Sequence, residues 1–201
     1  MSKLLSLTLV RGALAPWLLL CMPLAAPALA GDVWVVDDDG GVGTDATSLQ
    51  VAADGALSGD TLLVRPGVYG ALEIDGKSLV VVADGTGPVT LDLAQLWIHD
   101  LALGQRVVVR GVDVVGKASN DLVNSIPLQL NSNQGHVWLE DCTFYNTDPV
   151  SPGNPVLASV PGAVITNCIS VTAVRCEFRG RKQVYTTWPF SWTLPGIHAT
   201  S

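Results

Sequence analysis

The stretch VVVRGVDV at residues 107–114 returns as VWLEDCTF at 137–144 and as VTAVRCEF at 171–178. Each copy reads as a short apolar-x-apolar strand, a two-residue corner and a second apolar-x-apolar strand. The copies begin at Val107, Val137 and Val171, and repeats at such intervals are typical of a solenoid. Because a two-residue corner bends the chain without a hairpin, we expect each coil to lie in parallel on the one before it.

Stacked coils place equivalent side chains in columns, because parallel strands lie about 4.8 Å apart. A cysteine pair in such a column lies within the roughly 4.4–6.8 Å Cα separation of a disulfide. In-register side chains point the same way, however, which also suits stacked free thiols, so both alternatives are open for Cys142 and Cys176. The predicted columns are Val112, Cys142 and Cys176 in one, and Val114, Phe144 and Phe178 in the other. Val112, Val114, Phe144 and Phe178 are expected to be buried.

The variable coil length favours a right-handed parallel β-helix of about four coils over a left-handed helix built on strict hexapeptides. A β-sandwich is the other alternative, but its hairpins favour turns such as Asn-Gly, and this pair does not occur in the chain. A weaker and shorter recurrence extends the pattern towards the N-terminus. It relates Leu62 and Val64 to Val89 and Leu91, and Val80 and Val82 to Val107 and Val109.

A short amphipathic helix is predicted at residues 47–57, with Thr47 or Ser48 as N-cap. Its apolar face consists of Leu49, Ala52, Ala53, Ala56 and Leu57. Together with GDTLLVRPGVY at 59–69, this segment resembles the opening of secreted pectin-lyase-like right-handed β-helix proteins. The resemblance covers about residues 33–180 and implies a helix that caps the first coil. The superfamily includes lyases, hydrolases, esterases, epimerases and adhesins, so the resemblance indicates fold more than function.

Four segments are expected from the sequence: a signal peptide at 1–30, an N-terminal strand and capping helix at 31–60, coils at 61–180 and an irregular or truncated tail at 181–201. Lys3 and Arg11 form a positive N-terminal region. The apolar stretch that follows ends in the small-x-small site Ala28-Leu29-Ala30, which is typical of a signal peptide. A membrane anchor and a lipoprotein are weaker alternatives. We therefore expect a secreted protein that is extracellular, periplasmic or at the cell surface. In the tail, Trp188, Phe190 and Trp192 are candidates to cover the last coil; otherwise its open end would favour self-association.

The charge balance limits the partners. Cleavage after residue 30 would leave nine basic against 18 acidic residues and change the formal net charge from −7 to −9. Nucleic acid is not expected as a partner, because binding to phosphates needs a basic surface. Membrane insertion after cleavage is not expected either. A polysaccharide remains a candidate partner, although an anionic one would need a bridging cation or a local basic patch.

Chemistry-bearing residues are expected on the outer side of the coils and at their corners. Asp113, Asp141, Glu177 and Arg175 have the types that a polysaccharide lyase uses, with carboxylates to hold Ca²⁺ and a base to abstract a proton. Asp37 and Asp39 are candidate cation ligands in an acidic run that also suits a solvated turn. His99, His136 and His198 lack metal-ligand spacing and are expected to be surface or turn residues.

Two classes of function follow. The leading expectation is a non-catalytic secreted or cell-surface β-helix protein, without a cofactor, that binds carbohydrate or a partner protein along its exposed sheet. The alternative is a polysaccharide lyase or glycoside hydrolase of the pectin-lyase-like superfamily, or a truncated remnant of one, with Ca²⁺ as its candidate cofactor.

Overall fold

The structure, a computed structural model, describes residues 31–116, 126–146, 162–179 and 197–200. The predicted signal peptide and the predicted aromatic cap lie outside these residues. The described part is mostly β, with one short helix. Its elements are β1 (Val33–Val36), α1 (Leu49–Gly55), β2 (Thr61–Val64), β3 (Gly67–Tyr69), β4 (Leu72–Asp75), β5 (Leu79–Ala83), β6 (Val89–Leu91), β7 (Leu96–His99), β8 (Arg106–Arg110), β9 (Val112–Gly116), β10 (Leu128–Asn131), β11 (His136–Glu140), β12 (Thr143–Asn146), β13 (Ala163–Thr166), β14 (Ser170–Val174), β15 (Glu177–Arg179) and β16 (Ile197–Thr200).

The strands form three sheets in which every neighbouring pair is parallel. Sheet A has the order β1-β2-β5-β8-β11-β14-β16, sheet B the order β3-β6-β9-β12-β15, and sheet C the order β4-β7-β10-β13. From β2 to β14 the chain passes from sheet A to B to C and returns to A. This repeated passage is consistent with the predicted all-β parallel solenoid.

The register confirms the main repeat. Val107 pairs with Val137 and Val137 with Val171 in sheet A, while Val114 pairs with Phe144 and Phe144 with Phe178 in sheet B. The rings of Phe144 and Phe178 stack with centroids 5.2 Å apart. The predicted burial of Phe178 is wrong, because 42% of this residue is exposed whereas Phe144 is fully buried. Phe178 belongs to β15, which is the last strand in the order of sheet B among the described residues.

The weaker recurrence towards the N-terminus is wrong. Leu62 pairs with Val81 in sheet A, whereas Val89 lies in sheet B and pairs with Gly67. The inward residues of β5 are Leu79 and Val81 rather than Val80 and Val82. The physical reason is that β5 reads LVVVA and carries no polar residue to mark its outer side. A register error of one residue exchanges the two faces of a strand.

The corners between sheets A and B need an unusual backbone conformation. Gly111, Asp141 and Arg175 occupy equivalent corners, with φ of 72°, 53° and 51°. The Gly111 amide donates to the carbonyl of Glu140, and the Asp141 amide to that of Val174, so hydrogen bonding continues through the bend. Left-handed φ disfavours residues with a Cβ. The bends therefore fall within the predicted two-residue corners, but only at the second residue of each, because the first residue ends a strand. Two of the candidate site residues occupy these constrained positions.

Helix α1 covers the coil interior beside β1, β2 and β4. It is shorter than predicted, and Leu57 lies beyond its end with 73% of its surface exposed, whereas Leu49, Ala52 and Ala53 are buried. Ser48 is the N-cap, but its side chain makes no capping hydrogen bond to the helix. The helix is fixed instead at its other end, where Lys77 Nζ donates to carbonyls of the last turn.

The predicted irregular tail contains one described strand, since β16 pairs in parallel with β14. Across the described residues, no helix combines the length and the hydropathy needed to span a bilayer.

Candidate functional sites on the outer faces

The outer face of sheet A carries a groove beside an aromatic platform. The groove has a volume of about 350 Å³ and is lined by Gly59, Ser78, Leu79, Val80, Arg106 and Val108. Trp138 pairs with Val108 on the next strand, and the Arg106 guanidinium lies 5.8 Å from the centroid of its ring. This is the geometry of a cation–π contact. We call these residues together with Trp138 the sheet A groove.

His136 borders the sheet A groove at the start of β11. Its ring meets that of Trp138 edge-on at 6.0 Å, and Nε2 lies 3.0 Å from Thr172 Oγ1. Burial, and secondarily the charge of Arg106, lowers the pKa of His136. The lowered pKa favours the neutral imidazole, which has one N–H donor and one acceptor nitrogen.

The outer face of sheet C carries a group of carboxylates around one histidine. His99 Nε2 lies 2.9 Å from Glu73 Oε1, while Nδ1 lies 2.8 Å from Asp100 Oδ2 and 3.5 Å from Asp75 Oδ1. Trp97 stacks on the imidazole with centroids 4.2 Å apart. We call Glu73, Asp75, His99 and Asp100 the His99 cluster.

Parallel pairing assembles the His99 cluster. Asp75 on β4 pairs with His99 on β7, and Asp100 follows at the corner with φ of 56°. Burial is the largest influence on the pKa of His99 and lowers it. The hydrogen bonds to Asp100 and Glu73 and the charge of Asp75 together outweigh burial, so the pKa is raised. Asp75, His99 and Asp100 are the one group among the described residues whose metal-ligating atoms converge, all within 4.8 Å of one another.

The expectation that His99 is an ordinary surface or turn residue is wrong. Only 8% of the residue is exposed, at the end of a strand rather than in a turn. Its partners Glu73 and Asp75 lie on β4, in the preceding coil, so spacing within one segment does not reveal them. Asp75 and His99 are 24 residues apart, whereas the later repeats recur at 30 and 34 residues, so the repeat in the sequence does not bring them together.

Asp113 and Glu177 occupy the outer face of sheet B, as expected. Thr143 pairs with both, so the two carboxylates lie two strands apart. Glu177 forms an ion pair with Arg179 on its own strand. The hydrogen bond from Arg179 lowers the pKa of Glu177.

Asp141 and Arg175 meet at the corner between sheets A and B. Arg175 Nε lies 2.6 Å from Asp141 Oδ1, and Arg175 Nη2 contacts both Asp141 Oδ2, at 2.9 Å, and Glu140. Arg110 approaches Asp141 at 3.8 Å. The Arg175 hydrogen bond lowers the pKa of Asp141, and Asp141 and Glu140 raise that of Arg175. The structure thus joins two of the four candidate residues, and it does so in an arrangement that opposes proton abstraction by Arg175.

Asp37 and Asp39 hold a turn together. Asp37 Oδ2 accepts a hydrogen bond from Arg65 at 2.8 Å, and Asp37 Oδ1 accepts one from the Asp39 amide at 3.2 Å. The Arg65 hydrogen bond is the main reason that the pKa of Asp37 is lowered. Because both carboxylate oxygens are engaged, this geometry favours a structural role for Asp37.

The three described cysteines, Cys142, Cys168 and Cys176, are free thiols. Cys142 is buried and Cys176 is half-buried, and each Sγ donates to the backbone carbonyl two residues before it, that of Glu140 or Val174. The interaction between the two neighbouring thiols lowers the pKa of Cys176 to about 7, whereas the same interaction and burial raise the pKa of Cys142. Of the two alternatives for this pair, the structure contains the stacked thiols.

Comparison of the chain with protein-family models, with curated proteins and with solved structures finds no match. The candidate function therefore depends on the geometry of these outer faces.

Proposed function

We propose that the chain is a secreted right-handed parallel β-helix protein of the pectin-lyase-like type that binds carbohydrate along the outer face of sheet A. The repeated passage through three parallel sheets supports the β-helix. Its right hand follows from the strong preference of parallel crossovers for that hand. The signal-peptide pattern at 1–30 supports export.

The observation that carries the binding proposal is the Arg106–Trp138 contact beside the groove. An indole ring offers a large apolar surface with a polar edge, which suits the C–H face of a sugar. The guanidinium offers a planar set of donors to hydroxyl or carboxylate oxygens. A ligand that crosses from β8 to β11 would meet both groups in succession.

The charges of this face suit an acidic polysaccharide. On β8 and β11 the outward charged side chains are Arg106, Arg110 and Glu140. Arg106 and Arg110 give the local basic patch that an anionic ligand needs on a chain of net charge −7. The carboxylates of the His99 cluster lie on a different sheet.

We propose binding rather than lyase chemistry because of the state of Arg175. A general base must give up its proton at working pH. Asp141 and Glu140 stabilise the charged guanidinium instead, and these contacts raise its pKa.

The exposed Phe178 in β15, the last described strand of sheet B, supports the further proposal that copies of the chain self-associate at the β15 edge.

A glycan array followed by titration calorimetry tests the function. We expect acidic polysaccharides to bind and Trp138→Ala to weaken binding about tenfold or more, equivalent to at least roughly 1.4 kcal/mol. Trp97→Ala is the matched control, because it removes the same ring from sheet C. Equal effects of the two variants would place the ligand elsewhere.

A release assay on uronate polymers, with and without Ca²⁺, tests the alternative. We expect no unsaturated sugars. If unsaturated sugars were released in a calcium-dependent way and Arg175→Ala abolished the release, the protein would be a lyase and the binding proposal would be wrong.

A further inference from the structure

The His99 cluster places more acceptor oxygens around His99 than a neutral imidazole can satisfy. His99 is largely buried, and each of its ring nitrogens faces at least one carboxylate oxygen. A neutral imidazole has one N–H donor and one lone pair. If Nε2 donates to Glu73, the lone pair of Nδ1 points at oxygens of Asp75 and Asp100. Such a contact is repulsive unless a second proton or a cation lies between them.

The ligand atoms lie close enough together to share a cation once the short contact between Nδ1 and Asp100 Oδ2 lengthens. Ligands of one tetrahedral zinc ion at about 2.1 Å lie roughly 3.4 Å from each other. Nδ1 is 2.8 Å from Asp100 Oδ2 and 3.5 Å from Asp75 Oδ1, and all three ligand atoms lie within 4.8 Å of one another. Small side-chain rotations of the two exposed aspartates would complete three ligand positions.

Glu73 holds the imidazole in the way that metal-binding histidines usually need. A ligating histidine generally donates its other ring N–H to a carboxylate, which fixes the tautomer and the ring orientation. Glu73 lies 2.9 Å from Nε2, and Trp97 packs against the ring face. The ring is therefore positioned before any ion arrives.

We propose that His99 Nδ1 and one carboxylate oxygen from each of Asp75 and Asp100 bind a divalent transition-metal ion of the zinc class, with Glu73 as a positioning residue. The imidazole ligand favours this class over Ca²⁺ or Mg²⁺, which prefer oxygen. The side chains of Asp75 and Asp100 are 67% and 62% exposed, so water or another ligand can reach a fourth position. The site is independent of carbohydrate binding, because it lies on another sheet.

The test uses the chain secreted by its own signal, freed of metal by chelation and then dialysed. Zn²⁺ is titrated while the ¹⁵N shifts of the His99 ring are recorded, which separates this site from zinc bound by thiols. We expect the Nδ1 signal to shift at one equivalent while Nε2 keeps its proton. Co²⁺ should quench the fluorescence of Trp97, which stacks on the ligand.

Variants locate the site. We expect His99→Gln to abolish the Co²⁺ quenching, Asp100→Asn to weaken binding at least tenfold, and Glu73→Gln to weaken it roughly 10–100-fold. Asp113→Asn is the matched control, since it neutralises an outward aspartate on sheet B, and it should leave binding unchanged. Circular dichroism checks that each variant is folded.

Three results would overturn the proposal. The first is an unchanged His99 spectrum at millimolar Zn²⁺. The second is a ring protonated on both nitrogens that excludes the metal at neutral pH. The third is quenching that is retained in folded His99→Gln.

Discussion

The outer faces of sheets A and C differ in chemistry although their inner faces are alike. Inside, both sheets present aliphatic residues, and Leu139 of sheet A and Ile98 of sheet C are both fully buried. Outside, sheet A presents arginine, valine and tryptophan around a groove, whereas sheet C presents carboxylates around a histidine. One parallel backbone therefore supports two surfaces, and alternate residues of the same strands determine the core and the surface separately.

The largest expected effect is the loss of stability when an inward residue of β12, rather than an outward one, is replaced by alanine. Phe144 is fully buried, so Phe144→Ala should lower the free energy of unfolding by about 3–5 kcal/mol. Its outward neighbour is the control, because Thr143→Ala should change stability by no more than about 0.5 kcal/mol. Urea unfolding of both variants measures the difference. Comparable losses would mean that the assignment of inner and outer residues is wrong.

A second prediction compares the interiors of the two sheets. Leu139→Ala and Ile98→Ala should each destabilise the protein by about 2–5 kcal/mol, because both remove a fully buried aliphatic side chain. Thermal and urea denaturation of the pair measure this. A large loss for one variant with little loss for the other would show that the two interiors are not equivalent.

A third prediction concerns the charged groove of sheet A. Arg106→Gln should weaken binding of an acidic glycan about tenfold and reduce its dependence on salt, because a charge close to the ligand is lost. The control is Arg179→Gln on sheet B, which should not alter binding. A salt series by calorimetry reports both effects. If the salt dependence of binding were unchanged in Arg106→Gln, Arg106 would not be part of the ligand site.

The smallest expected effect is the pH dependence of the corner ion pair. Arg175 lowers the pKa of Asp141 in the folded protein, so the stabilising contribution is present above the unfolded pKa near 4. It is lost as pH falls through the lower folded pKa. Asp141→Asn should therefore flatten the fall of melting temperature below about pH 4, and only slightly, because exposed ion pairs contribute little. A steeper fall in the variant would contradict this sign.

The sequence was sufficient for the regular coils and insufficient where its pattern weakens. The register from Val107 to Phe178 could be read because polar residues mark the outer side of those strands. In β5 an unbroken aliphatic run hides the outer side, which caused the slip at Val80 and Val82. Phe178 fits the repeat, but its exposure depends on which strands lie beside β15. The sequence repeat does not predict those neighbours.

The candidate sites show the same limit. Asp141 and Arg175 were predicted in equivalent corners, and their contact follows from stacking. The His99 cluster joins residues of two coils whose spacing differs from that of the later repeats, so no motif along the chain marks it. The groove likewise depends on Arg106 turning over a ring on the next strand.

One spectrum tests the central claim, that the outer face of sheet A is the carbohydrate surface. The indole N–H signals of Trp138 and Trp97 are recorded by ¹⁵N NMR while the acidic polysaccharide selected by the array is added. We expect the Trp138 signal to shift in proportion to bound ligand and the Trp97 signal to stay in place. A shift of Trp97 with an unchanged Trp138 would contradict the claim and assign the ligand to sheet C.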